Sequence, residues 1–233
     1  AGRGARALSA RGVFVAGTDT GIGKTRIAAL LVRAQRACGR SAVGMKPVAS
    51  GCRETPDGLR SEDAEALIAA SEPVPPYALC NPYALAPPIA PHIAAREAGV
   101  EIALAPIDSA YRRLATTADR VVVEGVGGWC VPFSDALMQA DLVRALGVPV
   151  VLVVGLRLGC INHALLSARA IVADGCVLAG WIANRNDPDM ARAEENIEAL
   201  CARIGAPLLG VVAHASVPRE ADVDALLAAA RAL

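Results

Sequence analysis

A chain of 233 residues, 54% apolar and 20% charged, suits one large α/β domain or two small ones. Its 23 Lys and Arg balance 23 Asp and Glu, so it carries no electrostatic footprint for nucleic acid or an anionic membrane surface. No apolar run approaches the roughly 20 residues of a membrane span, and the expectation is no nucleic-acid and no membrane partner. Residues 1–11, basic, small and free of acids, are expected to form a flexible N-terminal extension ahead of a single domain over 12–233. Seven cysteines, at 38, 52, 80, 130, 160, 176 and 201, include no C-x-x-C pair. They support neither a disulfide framework nor a zinc site, and a reducing cytoplasm is the expected setting.

In chain order, Val13 to Ala16 reads as a buried strand, after which Gly17, Gly21 and Gly23 bend the backbone. Lys24 and Thr25 open an Ala/Leu-rich helix that runs to Cys38 and ends at Gly39. A strand, a glycine-rich loop and a helix N-terminus in succession favour an anion, because backbone N–H groups and the positive end of the helix dipole converge there. Lys24 adds a charge for β- and γ-phosphates, and the Thr25 hydroxyl suits Mg²⁺. Five residues separate Gly17 from Gly23, one more than the usual phosphate loop. A dinucleotide fingerprint fails, because its third glycine would fall on Arg26.

A second strand, 41–45, leads into Lys46-Pro-Val-Ala-Ser-Gly51, followed by a turn at 55–58. Ser61 is a suitable N-cap, which puts Asp63 in the first turn of a helix over 62–71. Residues 72–91 contain seven prolines and little periodicity, and predict a long irregular loop of the binding or lid kind. Helices over 89–98 and 104–118 precede the strand 121–123, which delivers Glu124 into a glycine-rich turn. A helix over 139–146, a strand over 148–154 and a helix from about 158 to 173 follow. The chain closes with a strand over 176–183 ending in Asn184, a helix over 189–203, a strand over 207–212 and a helix over 219–232. Continuously apolar strands alternating with helices predict an α/β fold: a mainly parallel sheet with helices on both faces.

Glu124 stands where a buried strand brings a carboxylate beside phosphates; the competing reading is a strand-end acid in a solvated turn. Gly125, Gly127 and Gly128 imply close backbone approach and favour the first. Lys46 follows the second strand and faces the same crevice as Lys24. Asp63 is a first-turn acid favoured by the helix dipole or a third oxygen for Mg²⁺. His92, His163 and His214 lack metal-ligand spacing and are expected to be structural.

Five stretches together resemble the dethiobiotin synthetase family: Gly17-Thr-Asp-Thr-Gly-Ile-Gly-Lys-Thr25, Lys46-Pro-Val-Ala-Ser-Gly51, Val123-Glu-Gly-Val-Gly-Gly-Trp129, Gly159-Cys-Ile-Asn-His163 and Gly180-Trp-Ile-Ala-Asn184. The likeness runs from about Val13 to Gly210 in the family's order and spacing. It implies a P-loop NTPase fold in a cytoplasmic homodimer with active sites at the subunit interface. The implied reaction joins 7,8-diaminononanoate, CO₂ and ATP into dethiobiotin, ADP and phosphate, through a carbamate and a carbamic–phosphoric anhydride. By the same resemblance Thr20, Gly21, Ile22, Gly23, Lys24 and Thr25 cradle the triphosphate, with Glu124, Gly125, Val126 and Gly127 beside it. Thr25, Asp63 and Glu124 would bind Mg²⁺, and Lys24 and Lys46 would neutralise the transferring phosphoryl group and the carbamate. Ser50 would touch the substrate. Gly159, Cys160 and Asn162 would hold its carboxylate from the neighbouring subunit, and Asn184 would read the purine near Arg185, Ala213, His214 and Ala215. The sequence departs from the family pattern at Arg185, where an acid is common, and along Val211 to His214. The alternative is an ATP-switched dimeric module of the partitioning type. Such proteins carry an extra lysine five residues before the loop lysine, where this chain has Asp19. An amide synthetase of the cobyrinate type would need a glutamine-hydrolysing domain for which there is no room.

Overall fold

The computed structural model describes residues 12–215 and 219–233, so the extension expected over 1–11 lies outside the described residues. The first strand, β1 (Gly12–Gly17), leads through the glycine loop into α1 (Lys24–Ala37) and β2 (Ala42–Met45). Short strands β3 (Val48–Ser50), β4 (Arg53–Thr55) and β5 (Gly58–Arg60) precede α2 (Glu62–Ala70), α3 (Tyr77–Cys80), β6 (Tyr83–Leu85) and α4 (Pro91–Glu97). Then come α5 (Leu104–Thr117), β7 (Arg120–Glu124), α6 (Gln139–Leu146), β8 (Val150–Gly155), α7 (Cys160–Ala173) and β9 (Leu178–Asn184). The chain ends with α8 (Ala193–Cys201), β10 (Leu208–Val212), α9 (Glu220–Asp224) and α10 (Leu227–Ala232).

The six-stranded central sheet runs β10-β9-β8-β1-β7-β2 and is parallel throughout. Side chains alternate across it as the pleat requires. Val13 and Val15 of β1 bury against Ile27 and Leu30 of α1, Leu67 of α2 and Ala229 of α10. Phe14 and Ala16 join the opposite core with Ile107 of α5, Leu142 of α6 and Ala164 of α7. Both faces are therefore covered, which is why the strands are apolar along most of their length, with Arg120, Glu124 and Asn184 at strand ends. Parallel pairing also brings the strand C-termini to one edge: Val15 lies opposite Glu124 and Gly17 opposite Val153. The loops after β1, β2, β7, β8 and β9 gather there.

Two expectations are corrected, and the turn expected at 55–58 is found as the tip of a hairpin. The segment 72–91 is not an irregular loop: it holds α3 and β6, and β6 pairs in parallel with β3. Its prolines fall where they do not interrupt hydrogen bonding, Pro76 at the N-cap of α3 and Pro91 at the first turn of α4. The hairpin at 55–58 is small and pairs β4 with β5 antiparallel. The closing helix breaks at Ala225–Leu226 into α9 and α10. No helix among the described residues is long and apolar enough to cross a membrane.

The end of the chain is fastened to α1 through Asp222, whose side chain is buried. Its Oδ2 accepts from Arg26 Nη2 at 2.8 Å and from the Arg219 amide at 3.0 Å, and its Oδ1 meets Arg219 Nη2 at 3.1 Å. Arg26 Nη1 also donates to Ala213 O at 2.9 Å. Burial works to raise the Asp222 pKa, but the hydrogen bonds from Arg219 and Arg26 outweigh it and hold the carboxyl below its ordinary value. A lowered native pKa means that the stabilisation is complete above the unfolded carboxyl's value of about 4 and is lost as pH falls through the native one. Asp222→Asn should therefore lower Tm at neutral pH, and the gap from the parent should close on acidification. A Tm difference unchanged between neutral pH and about pH 3 would refute the ion-pair account.

Candidate active site

The glycine loop between β1 and α1 is anchored from below. Ile22 is buried and packs where a Cβ at Gly155, the last residue of β8, would stand 2.7 Å from the Ile22 Cβ. Asn184, the last residue of β9 and also buried, donates from Nδ2 to Ile22 O at 2.8 Å. Gly23 takes φ of 87°, and a Cβ there would collide with that same Asn184 amide. No side chain caps α1 and no acid occupies its first turn, so its leading N–H groups face the crevice without a protein anion. Lys24 folds back over the loop, its Nζ donating to Asp19 O at 2.6 Å. Burial, with the Lys46 charge second, pulls its pKa down to about 8.

Beside the loop, three strand and helix ends deliver a compact charged group. Thr25 Oγ1 lies 2.7 Å from Asp63 Oδ1 and 2.8 Å from Glu124 Oε1. One hydroxyl proton can serve only one of these acceptors. Lys46 Nζ, almost fully buried, lies 2.7 Å from both Asp63 Oδ2 and Glu124 Oε1 and 3.0 Å from Gly125 O. Burial disfavours its charge, yet the two carboxylates more than compensate and raise its pKa, so it stays protonated. The same lysine holds Asp63 below its ordinary value against the opposing effect of burial. Glu124 Oε2 is buried with no hydrogen-bond partner. Among the described residues no three His, Cys, Asp or Glu cluster as metal ligands. What exists is two carboxylates and a hydroxyl, a hard-oxygen set that suits Mg²⁺ rather than zinc, with one oxygen left over for it.

These groups line a cleft of about 760 Å³ that brings together Thr20, Gly21, Gly23, Lys24, Thr25, Lys46, Ser50, Asp63, Glu124, Val126 and Gly127. Gly125 lies just behind, where a Cβ would meet Gln139 Oε1 at 2.7 Å and the Phe14 ring. Ile22 and Asn184 sit beneath the loop, outside the cleft lining, and Asn184 Oδ1 is buried without a partner. Arg185 turns away to pair with Glu194, while its carbonyl lies 3.2 Å from His214 Nδ1. Ala213, His214 and Ala215 follow β10 at the surface near that carbonyl. Gly159, Cys160 and Asn162 do not reach this cleft. They begin α7, with Gly159 at φ 94° and Asn162 exposed. The Cys160 side chain is buried in the core, so what the segment presents at the surface is the backbone at the helix start.

Sequence reasoning missed two contributors. Val131 and Pro132 line the cleft together with residues 88–91, the latter belonging to the proline-rich segment expected to be a binding element. Gln139, buried at the start of α6, receives the Val126 amide at 2.8 Å and donates to Gly128 O at 2.9 Å, which fixes the turn after Glu124.

Against known proteins, the family model described as "AAA domain" matches residues 11–224. The chain is 61% identical over 197 residues to the ATP-dependent dethiobiotin synthetase BioD of Xanthomonas euvesicatoria pv. vesicatoria, spanning 84% of this chain and 88% of the relative. It is 58% identical to the protein of that name from Xanthomonas oryzae pv. oryzae (91% and 92% covered) and 56% identical to that from Xylella fastidiosa (89% and 92%). Among solved structures it is similar to the MinC:MinD cell division protein complex of Aquifex aeolicus, with a TM-score of 0.58 at 12% identity and 94% of each chain covered. A ParA family ATPase from Chlorobium tepidum gives 0.53 at 13% identity, over 93% of this chain and 90% of that one. At such identity these two establish the P-loop NTPase fold and nothing further. Sharing more than half of its residues with relatives along most of its length, this chain belongs to the ATP-dependent dethiobiotin synthetase family of C–N bond-forming ligases.

Proposed function

We propose that the protein uses ATP, CO₂ and 7,8-diaminononanoate to make dethiobiotin, ADP and phosphate, working as a cytoplasmic homodimer. The observation that carries the reading is the lysine pair at one cleft: Lys24 over the glycine loop and Lys46 bridging Asp63 and Glu124. The chemistry needs charge neutralisation and positioning rather than a protein nucleophile. One amine of the substrate adds to CO₂ and loses a proton to give a carbamate. A carbamate oxygen attacks the γ-phosphorus, ADP leaves, and a carbamic–phosphoric anhydride results. The second amine attacks its carbonyl, phosphate leaves, and the ureido ring closes.

In this reading the backbone from Thr20 to Thr25 holds the triphosphate, with Gly125 to Gly127 beside it. Lys24, whose pKa burial draws down to about 8, gains from the phosphates the counter-charge it lacks. Lys46 stays cationic and offsets charge on the carbamate and the transferring phosphoryl group. Thr25, Asp63 and Glu124 would hold Mg²⁺, which when bound supplies Lewis-acid neutralisation of phosphate charge. Ser50, in the cleft wall, would touch the substrate. Asn184 Oδ1, buried without a partner, suits a purine exocyclic amine, and Arg185 and Ala213 to Ala215 would lie at the rim of the base. Gly159, the Cys160 backbone and Asn162 would receive the substrate carboxylate of the other subunit. The exposed start of α7, whose first turn has no acid, and the 97% exposed Leu158 support that assignment.

The switch alternative has less behind it. Where its extra lysine would stand, Asp19 accepts the Thr20 amide at 2.7 Å and pairs with Arg157.

The reaction is tested by ADP release from Mg-ATP and bicarbonate with and without the diamine. Strong dependence on the diamine, with one ureido product per ADP, is expected; turnover indifferent to the diamine refutes the substrate. Lys46→Gln should lower kcat at least about 10²-fold, the scale for one lost electrostatic stabiliser, and near-normal turnover would remove its assigned role. Asn162→Ala should raise the KM for the diamine and leave ATP binding unchanged, whereas weakened ATP binding with normal diamine KM would overturn the carboxylate assignment.

A further inference from the structure

We infer that Tyr77 and Asn81, outside the cleft lining, are positioning residues that set the spacing between Lys46 and Asp63. The inference rests on the roles proposed above for those two groups. The Lys46 backbone is gripped at both of its polar atoms: its N–H donates to Cys80 O at 2.7 Å, and its C=O accepts from Asn81 Nδ2 at 2.7 Å. Asn81 is 4% exposed, and its Oδ1 accepts the Tyr77 hydroxyl at 3.0 Å. That hydroxyl in turn accepts the Ser61 amide at 2.7 Å. Ser61 is the N-cap of α2, and Asp63 lies in the first turn of that helix.

The need for Tyr77 follows from the helix start. A capping box would satisfy the N-cap amide with a carboxylate or carboxamide at the third helical position. That position here is Ala64, which has no acceptor. Tyr77 Oη takes its place, and its ring is held under the Arg60 guanidinium at 4.2 Å from the ring centroid. The result is one directional chain, Ser61 N–H to Tyr77 O–H to Asn81 to Lys46 C=O, in which each bond polarises the next. It joins the strand end that carries the cation to the helix start that carries the carboxylate, whose side chains lie 2.7 Å apart.

The test compares Tyr77→Phe with Tyr83→Phe in the full chain. Tyr83 is a control from the same segment: its hydroxyl accepts the Ala103 amide at 3.1 Å and touches neither Lys46 nor Ser61. Tyr77→Phe should lower kcat about tenfold with the KM for ATP within about twofold, the signature of displaced rather than missing groups. It should also shrink the extra rise in Tm that Mg²⁺ adds to ADP binding, while the rise with ADP and a chelator is retained. Tyr83→Phe should change Tm alone. An unchanged kcat for Tyr77→Phe beside an impaired Lys46→Gln overturns the positioning role and leaves the function standing; equal losses in both tyrosine variants also overturn it. Full activity in Lys46→Gln removes the reading beneath it.

Discussion

A cation sealed between two carboxylates is the constraint from which the architecture follows. An ammonium group taken out of water is tolerated only when paired and hydrogen-bonded on every side. Lys46 meets that condition with Asp63 from α2, Glu124 from β7 and the Gly125 carbonyl. Removing the fully buried partner, Glu124, falls in the class of changes that cost about 3–5 kcal/mol, whereas Asp63, with its side chain 42% exposed, contributes less because solvent screens it. The three elements must therefore arrive together, and the cluster is a fold determinant as well as a chemical one. The parallel sheet supplies two of them for free, because β2 and β7 are neighbours whose C-termini lie at one edge. The helix α2 is not in the sheet and has to be brought there by other means.

Those other means explain what could be read from the sequence and what could not. The glycine loop was legible because its requirements are contiguous: positive φ at Gly21 and Gly23, a lysine, a hydroxyl and a helix start within nine residues. Glu124 and Lys46 were legible because each ends a buried strand. Their contact with Asp63 was not, since it depends on residues 53–85 folding as hairpin, helix, bracket and strand. The helix at 62–70 is announced by its N-cap, but the stretch from 72 to 85 has no hydrophobic period to announce its fold. Its order comes from pairing at a distance, β3 with β6 and Asn81 with Lys46 O. Polar side chains that satisfy backbone atoms far along the chain leave no periodic trace.

The same reasoning accounts for smaller features. Cys160 belongs to a stretch that matches the family pattern, and helical phase turns its thiol into the core while the backbone of the helix start stays at the surface. The turn after Glu124 was recognised by its glycines, whereas Gln139 that fixes it stands ten or more residues away in another helix. Arg185 departs from the family pattern, and its side chain is occupied by Glu194.

Asn184 joins two tasks that are usually separable. One end of its side-chain amide clamps the glycine loop through Ile22 O, and the other is the partnerless oxygen assigned to the base. On the proposed reading, a substitution at Asn184 would also release the glycine loop at Ile22 O, so base choice and phosphate binding would be coupled through a single planar group. A change of cosubstrate would then have to be sought at 213–215, where the Ala213 carbonyl is itself held by Arg26 Nη1 at 2.9 Å.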